Sequence, residues 1–143
     1  MILRSPILWL FLFFLVSLYP VAADPALLLV KITPQVVEKD QTVSWEQPLS
    51  MFTSPGKPVV VNIDAAPLTI RVTITPFVRG KDFLLVVQGD VKQVNGARTH
   101  GVASLQSLLV PPGESIIFFP LGREPADTGH QMVVKMQVEF EGE

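Results

Sequence analysis

The sequence predicts an all-β protein: a single antiparallel β-sandwich of about eight strands behind an N-terminal signal helix. Three observations carry that prediction. Apolar and polar residues alternate at period two in "LTIRVTIT" (68–75) and "QMVVKMQVEF" (131–140), as a half-buried strand requires. Prolines bracket short pieces: Pro25 and Pro34 around "ALLLVKIT", Pro58 and Pro67 around "VVVNIDAA", Pro67 and Pro76 around "LTIRVTIT". Each piece is eight residues long, a strand's length rather than a helix's. No window sustains the i, i+3, i+4, i+7 apolar spacing of an amphipathic helix. Among sandwiches, an immunoglobulin-like strand order is the leading expectation.

The first element is a leader. Residues 1–23, "MILRSPILWLFLFFLVSLYPVAA", place Arg4 before an unbroken apolar run from Ile7 to Val16, then Pro20 and Val21-Ala22-Ala23. Basic start, short apolar centre and small residues at the cut describe a secretory signal peptide, cleaved between Ala23 and Asp24. The alternative is a retained membrane anchor, since residues 5–23 nearly match a bilayer's thickness. Residues 24–143 form the β-sandwich domain, 120 residues with no cysteine. A domain of that size buries about two-thirds of its unfolded surface and needs no staple. A cysteine-free export product points to a bacterial periplasm or exterior, and the missing cysteine excludes a lipid-anchored lipoprotein.

Without Arg4, ten Lys and Arg stand against thirteen Asp and Glu, a net charge of −3 with the signs interspersed. No basic stripe is present to neutralise phosphates, so nucleic acid is not an expected partner. No later apolar run approaches a membrane span.

The strands are expected at 26–33, 41–46, 59–64, 68–75, 83–93, 101–110, 114–119 and 131–140. "SPGKP" (54–58) and "RGKD" (79–82) are turns, and "GREPADTGH" (122–130) is a longer polar loop. "PPGE" (111–114) fits a type II turn, with Pro112 at the second position and Gly113 supplying positive φ at the third. Asn95-Gly96 is the best hairpin signal. A two-residue turn there sets Leu85 opposite Gln106 and Val87 opposite Ser104, which mismatches the apolar faces. A shift of one residue puts Leu85 and Val87 on the face of Ala103 and Leu105. The expectation is therefore a β-bulge near Gly89 or Gly101, or a longer loop.

"SIIFF" (115–119) is the one strand that does not alternate. Neighbours on a strand point to opposite faces, so two of Ile116, Ile117, Phe118 and Phe119 must leave the face that buries the others. Burying one such side chain is worth about 1.5–3 kcal/mol, so cover is expected. The internal cover would be the 34–58 connection with Trp45 and Phe52. The external cover would be a partner's surface.

Signals for chemistry are absent. After residue 23 there is neither Cys nor Tyr. His100 and His130, with Glu124 or Asp127, lack metal-ligand spacing. Ser104, Ser107 and Ser115 lie in or beside strands, without a G-x-S-x-G elbow. No phosphate-binding glycine motif occurs. Neither an enzyme, a metal nor a cofactor is expected. Trp45, alternating with Val43 in "TVSWE", is expected to pack in the core.

Residues 68–122 show a family likeness. "LTIRVTITPFVRGKDFLLVVQGDVKQV" followed by "SLLVPPGESIIFFPLG" resembles the C-terminal β-domain of bacterial secretins, at Val72, Thr75-Pro76, Gly113-Glu114 and Leu121-Gly122. Leu121-Gly122 reverses that family's Gly-Leu order, and no stretch here matches its stacked ring-building domains. The resemblance implies an envelope β-protein that associates through strands, not a pore.

The functional expectation is an exported, non-catalytic β-sandwich that binds or supports another cell-envelope protein, or self-associates through a sheet edge. Its candidate binding residues are Ile117, Phe119 and Trp45. The alternative is a small-ligand or glycan-binding module, with the 34–58 and 122–130 loops forming a mouth beside Trp45.

Overall fold

The computed structural model describes residues 26–65, 67–122 and 130–142. The leader and most of the 122–130 loop lie outside these residues. Nine strands are found among them: β1 (Leu28–Val37), β2 (Val43–Glu46), β3 (Leu49–Thr53), β4 (Val59–Ala65), β5 (Leu68–Arg79), β6 (Asp82–Asn95), β7 (Arg98–Val110), β8 (Ser115–Phe118) and β9 (Gln131–Phe140). One sheet runs β2-β1-β9-β8, with β3 continuing the β2 edge along β1. The other is the meander β4-β5-β6-β7. The two pack face to face as a β-sandwich. Among the described residues no helix is long and apolar enough to cross a membrane.

The strand order corrects the immunoglobulin expectation. Immunoglobulin sheets draw strands from both halves of the chain. Here four consecutive strands make one whole sheet, and the chain's two ends supply the other. Tight turns explain the meander. Its hairpins close at Ala65↔Leu68, Arg79↔Asp82 and Asn95↔Arg98, each leaving two residues between. Gly80 and Gly96, first in their turns, have φ of 64° and 61°, the conformation a type II′ hairpin needs there.

That last turn corrects the register expectation. The two turn residues are Gly96 and Ala97, not Asn95 and Gly96. The one-residue difference sets Leu85 opposite Leu108 and Phe83 opposite Val110, and pairing then runs unbroken over thirteen residue pairs. No bulge forms at Gly89 or Gly101. Leu105 and Ala103, expected on the core face, point outward instead.

Two prolines expected at strand ends lie inside strands. An antiparallel residue directs its N–H and C=O to the same neighbour. The Pro34 carbonyl accepts from the Gln47 N–H at 3.1 Å, so its missing donor faces the break between β2 and β3. The Pro76 carbonyl accepts from the Gly56 N–H at 2.7 Å, so its missing donor faces the 54–58 turn beyond the end of β4. Neither proline costs a ladder bond. The 111–114 turn forms as expected: Gly113 has φ 78°, and the Glu114 N–H donates to the Pro111 carbonyl at 3.2 Å.

The core is wholly apolar among the described residues. Leu28, Val30 and Ile32 of β1 and Val134, Met136 and Val138 of β9 face Val61, Ile70, Val72, Ile74, Phe83, Leu85 and Val87 of the meander. The period-two patterns of 68–75 and 131–140 supply most of these residues. Phe83 and Phe140 join the sheets at one end, ring centroids 4.8 Å apart.

Candidate interaction surface

Each sheet ends in two edge strands, and three of the four edges are blunted. An edge strand shows unpaired N–H and C=O groups, and proteins protect such edges by shortness, charge, proline or a break. The β8 edge is four residues long and is followed by Pro120. The opposite edge of that sheet is split into β2 and β3 at Gln47-Pro48. In the meander, β4 carries Asp64 and is preceded by Pro58.

The fourth edge, β7, has Arg98 at one end and Pro111-Pro112 just past the other, but its long middle has none of these devices. The strand is thirteen residues long, roughly 40 Å at a strand's rise. Residues 101–109, "GVASLQSLL", contain no charge and no proline, and their pairing with β6 shows no register shift. The Val94 N–H donates to Pro67, toward β5. Even-numbered β6 residues therefore face β5, and odd-numbered ones face β7. It follows that Gly101, Ala103, Leu105, Ser107 and Leu109 turn their backbone groups to the open side. Among the described residues nothing pairs with them.

Apolar side chains stand beside this edge. Register aligns Phe77, Leu84 and Leu109 in one row across the outer face of the meander. Leu109 is 58% exposed and Leu105 is 71% exposed. A contiguous apolar group rimming an open strand edge has the features of a protein-binding surface.

The residues singled out from sequence are not brought together. Ile117 is 50% exposed on the outer face of β8, whereas Phe118 is 3% exposed in the core. Ile116 packs against the core, and Phe119 is half-buried just past β8. Trp45 lies on β2, at the opposite edge of the same sheet, so the 34–58 connection does not cover Ile117. The core role expected for Trp45 is also corrected: it is 40% exposed, because β2 pairs only the far end of β1, through Val36 and Val37 with Gln35. Phe119 borders a hollow of about 200 Å³ between β7 and β8, with Ser104, Leu105, Gln106, Phe118 and Gly122. It is the one sequence-nominated residue adjacent to the open edge. Leu105 and Leu109 were missed because the hairpin register had turned them inward.

A hollow of about 370 Å³ on the outer face of the meander is lined by Asn62, Thr69, Arg71, Asp90 and Lys92. His130 Nδ1 lies 2.5 Å from Glu38 Oε2 at the start of β9, while His100 stands opposite Gln93 in the other sheet. Among the described residues no three His, Cys, Asp or Glu side chains group as metal ligands do.

No family model matches the chain, and no curated protein or solved structure is found similar to it.

Proposed function

We propose that this protein is a non-catalytic binding module of the bacterial cell envelope that receives a strand from a second polypeptide, another envelope protein or a further copy of itself, along β7. The observation that supports this reading is the nine-residue uncharged stretch of open edge at 101–109, flanked by Leu105 and Leu109. In strand addition, main-chain hydrogen bonds supply affinity and alternate side chains supply specificity. Both are on offer here: five outward backbone units and an apolar row beside them. Envelope placement rests on the leader at residues 1–23. The likeness of residues 68–122 to the secretin β-domain spans this same edge and points the same way. The long uncharged stretch of open edge at β7 favours a binding edge over a glycan mouth beside Trp45.

A photoreactive phenylalanine analogue placed at Leu105 tests the proposal in intact cells. It is expected to form protein adducts in the envelope fraction, whereas the same probe at Asn62, on the far side of the meander, is not. Equal labelling at both positions, or adducts only at Asn62, would overturn it.

A further inference from the structure

We infer that the strand docking on β7 is β7 of a second copy of this chain, paired antiparallel about a two-fold axis at Leu105. The inference rests on reading β7 as a strand acceptor, and it names the occupant.

Charge chooses between a copy and a dissimilar partner. The 101–109 stretch offers no charged side chain, so a charged strand would find no complement there. A second copy meets no like charge. Register then becomes definite. Gly101, Ala103, Leu105, Ser107 and Leu109 direct their backbone groups outward, so they must form the hydrogen-bonded pairs across the new junction. With Leu105 opposite Leu105 of the second copy, Ala103 meets Ser107 and Gly101 meets Leu109. On the inner face Val102 meets Leu108, and Ser104 meets Gln106, a hydroxyl and an amide that can bond each other. Centring on Ser104 would instead set Arg98 against the buried Val110. Centring on Ser107 would set Ala103 against Pro111, which has no N–H to give. The Leu105 register keeps every ladder bond over the uncharged stretch, and its own mismatches, His100 against Val110 and Thr99 against Pro111, fall outside that stretch. The interface is isologous. It merges two four-stranded meanders into one eight-stranded sheet and closes both open edges.

The chain has no cysteine, so a single introduced thiol reports the register. Leu105→Cys is placed in the full chain, expressed from Met1 and purified in mild detergent. Opposed Cα atoms in a hydrogen-bonded pair are about 5.5 Å apart, within disulfide reach. Oxidation is expected to convert most of the protein to a covalent dimer. Leu109→Cys alone is expected to remain monomeric on denaturing gels, because in this register the two thiols stand eight strand residues apart, about 27 Å. A mixture of Gly101→Cys and Leu109→Cys chains should cross-link to each other. At Gly101 the nearest atom to a new Cβ is 3.9 Å away, so that substitution is tolerated. Like charges at the axis give a second readout. Leu105→Lys and Leu105→Glu should each be monomeric by light scattering, and their mixture should regain the doubled mass. Dimers from Leu109→Cys but not Leu105→Cys would overturn the register. A wild-type chain that stays monomeric at all concentrations, while the photoreactive probe at residue 105 still captures another protein, would overturn self-pairing and leave the binding-module reading intact. Failure of both would remove both.

Discussion

Gly89 of β6 lies beneath the ring of Phe118 of β8: a Cβ at position 89 would stand 3.0 Å from Cε1 and Cζ of that ring and 2.9 Å from Ser104 Oγ. The missing side chain lets the two sheets approach at the side where β7 and β8 run together. Glycine in a strand interior often marks a close approach of another group, and here the group is an aromatic ring from the facing sheet. Gly89→Ala is expected to destabilise the fold by about 1–3 kcal/mol through overpacking. Combining it with Phe118→Leu should recover part of the loss, because the smaller side chain vacates the contested space. Urea midpoints of the two single variants and the double variant measure this coupling. Strictly additive losses would show that residues 89 and 118 do not share the space.

Much of the sandwich was legible in the sequence because its strands alternate strictly. Residues 68–75 and 131–140 announced their core faces, and the prolines and glycines marked most turns. Three features were hidden for physical reasons. β3 lacks alternation strong enough to show beside Pro48, and it exists because it extends the edge begun by β2. Pro34 and Pro76 looked like strand ends, yet their missing donors face places where the neighbouring strand has stopped. The β7 faces depended on the bulge expected near Gly89 or Gly101, since a one-residue slip flips every side chain to the other face. Moving the turn to Gly96-Ala97 slides each pairing by two residues, keeps the faces, and sets Leu85 opposite Leu108 without a bulge. The interaction surface was hidden with those faces, since the expected bulge would have turned Leu105 and Leu109 inward, whereas the unbroken pairing leaves them exposed.

That register makes opposite forecasts for two leucines. Leu85 is fully buried, so Leu85→Ala should cost about 2–5 kcal/mol through lost transfer energy and the cavity left behind. Leu105 is largely exposed, so Leu105→Ala should shift stability by no more than about 0.5 kcal/mol in the unassociated protein. Denaturant unfolding at low protein concentration compares the two. A large loss at Leu105 under those conditions would place it in the private core.

The facing aromatics at the other end of the sandwich give a further test. Phe83 is fully buried and its ring meets Phe140, centroids 4.8 Å apart. Phe83→Ala should cost about 3–5 kcal/mol. Phe140 is only half-buried, and Phe140→Ala should cost less. Part of each loss should be shared, because a tilted aromatic pair contributes about 0.5–1.5 kcal/mol beyond its area. A double-mutant cycle by thermal or urea unfolding reads the shared part, and a coupling near zero would mean the rings pack independently.

The β1–β2 connection contains a small acid-sensitive device. Asp40 Oδ1 accepts from the Thr42 hydroxyl at 2.5 Å and from the Thr42 backbone N–H at 3.1 Å. Both bonds favour the ionised carboxylate, the hydroxyl most, and they hold its pKa below the ordinary value of 3.8. The folded form therefore binds its proton less readily than the unfolded chain does. The stabilisation is complete above 3.8 and disappears as pH falls through the lowered folded value. The group is fully exposed, so solvent screening keeps its effect on global stability small. The local signal is nonetheless measurable. The Asp40 carboxyl carbon, followed by NMR from neutral to strongly acid pH, should titrate below 3.8. In Thr42→Val the hydroxyl donor is gone and the backbone donor stays, so the midpoint should move part of the way back toward the ordinary value. An unchanged midpoint in that variant would mean that the hydroxyl does not hold the carboxylate.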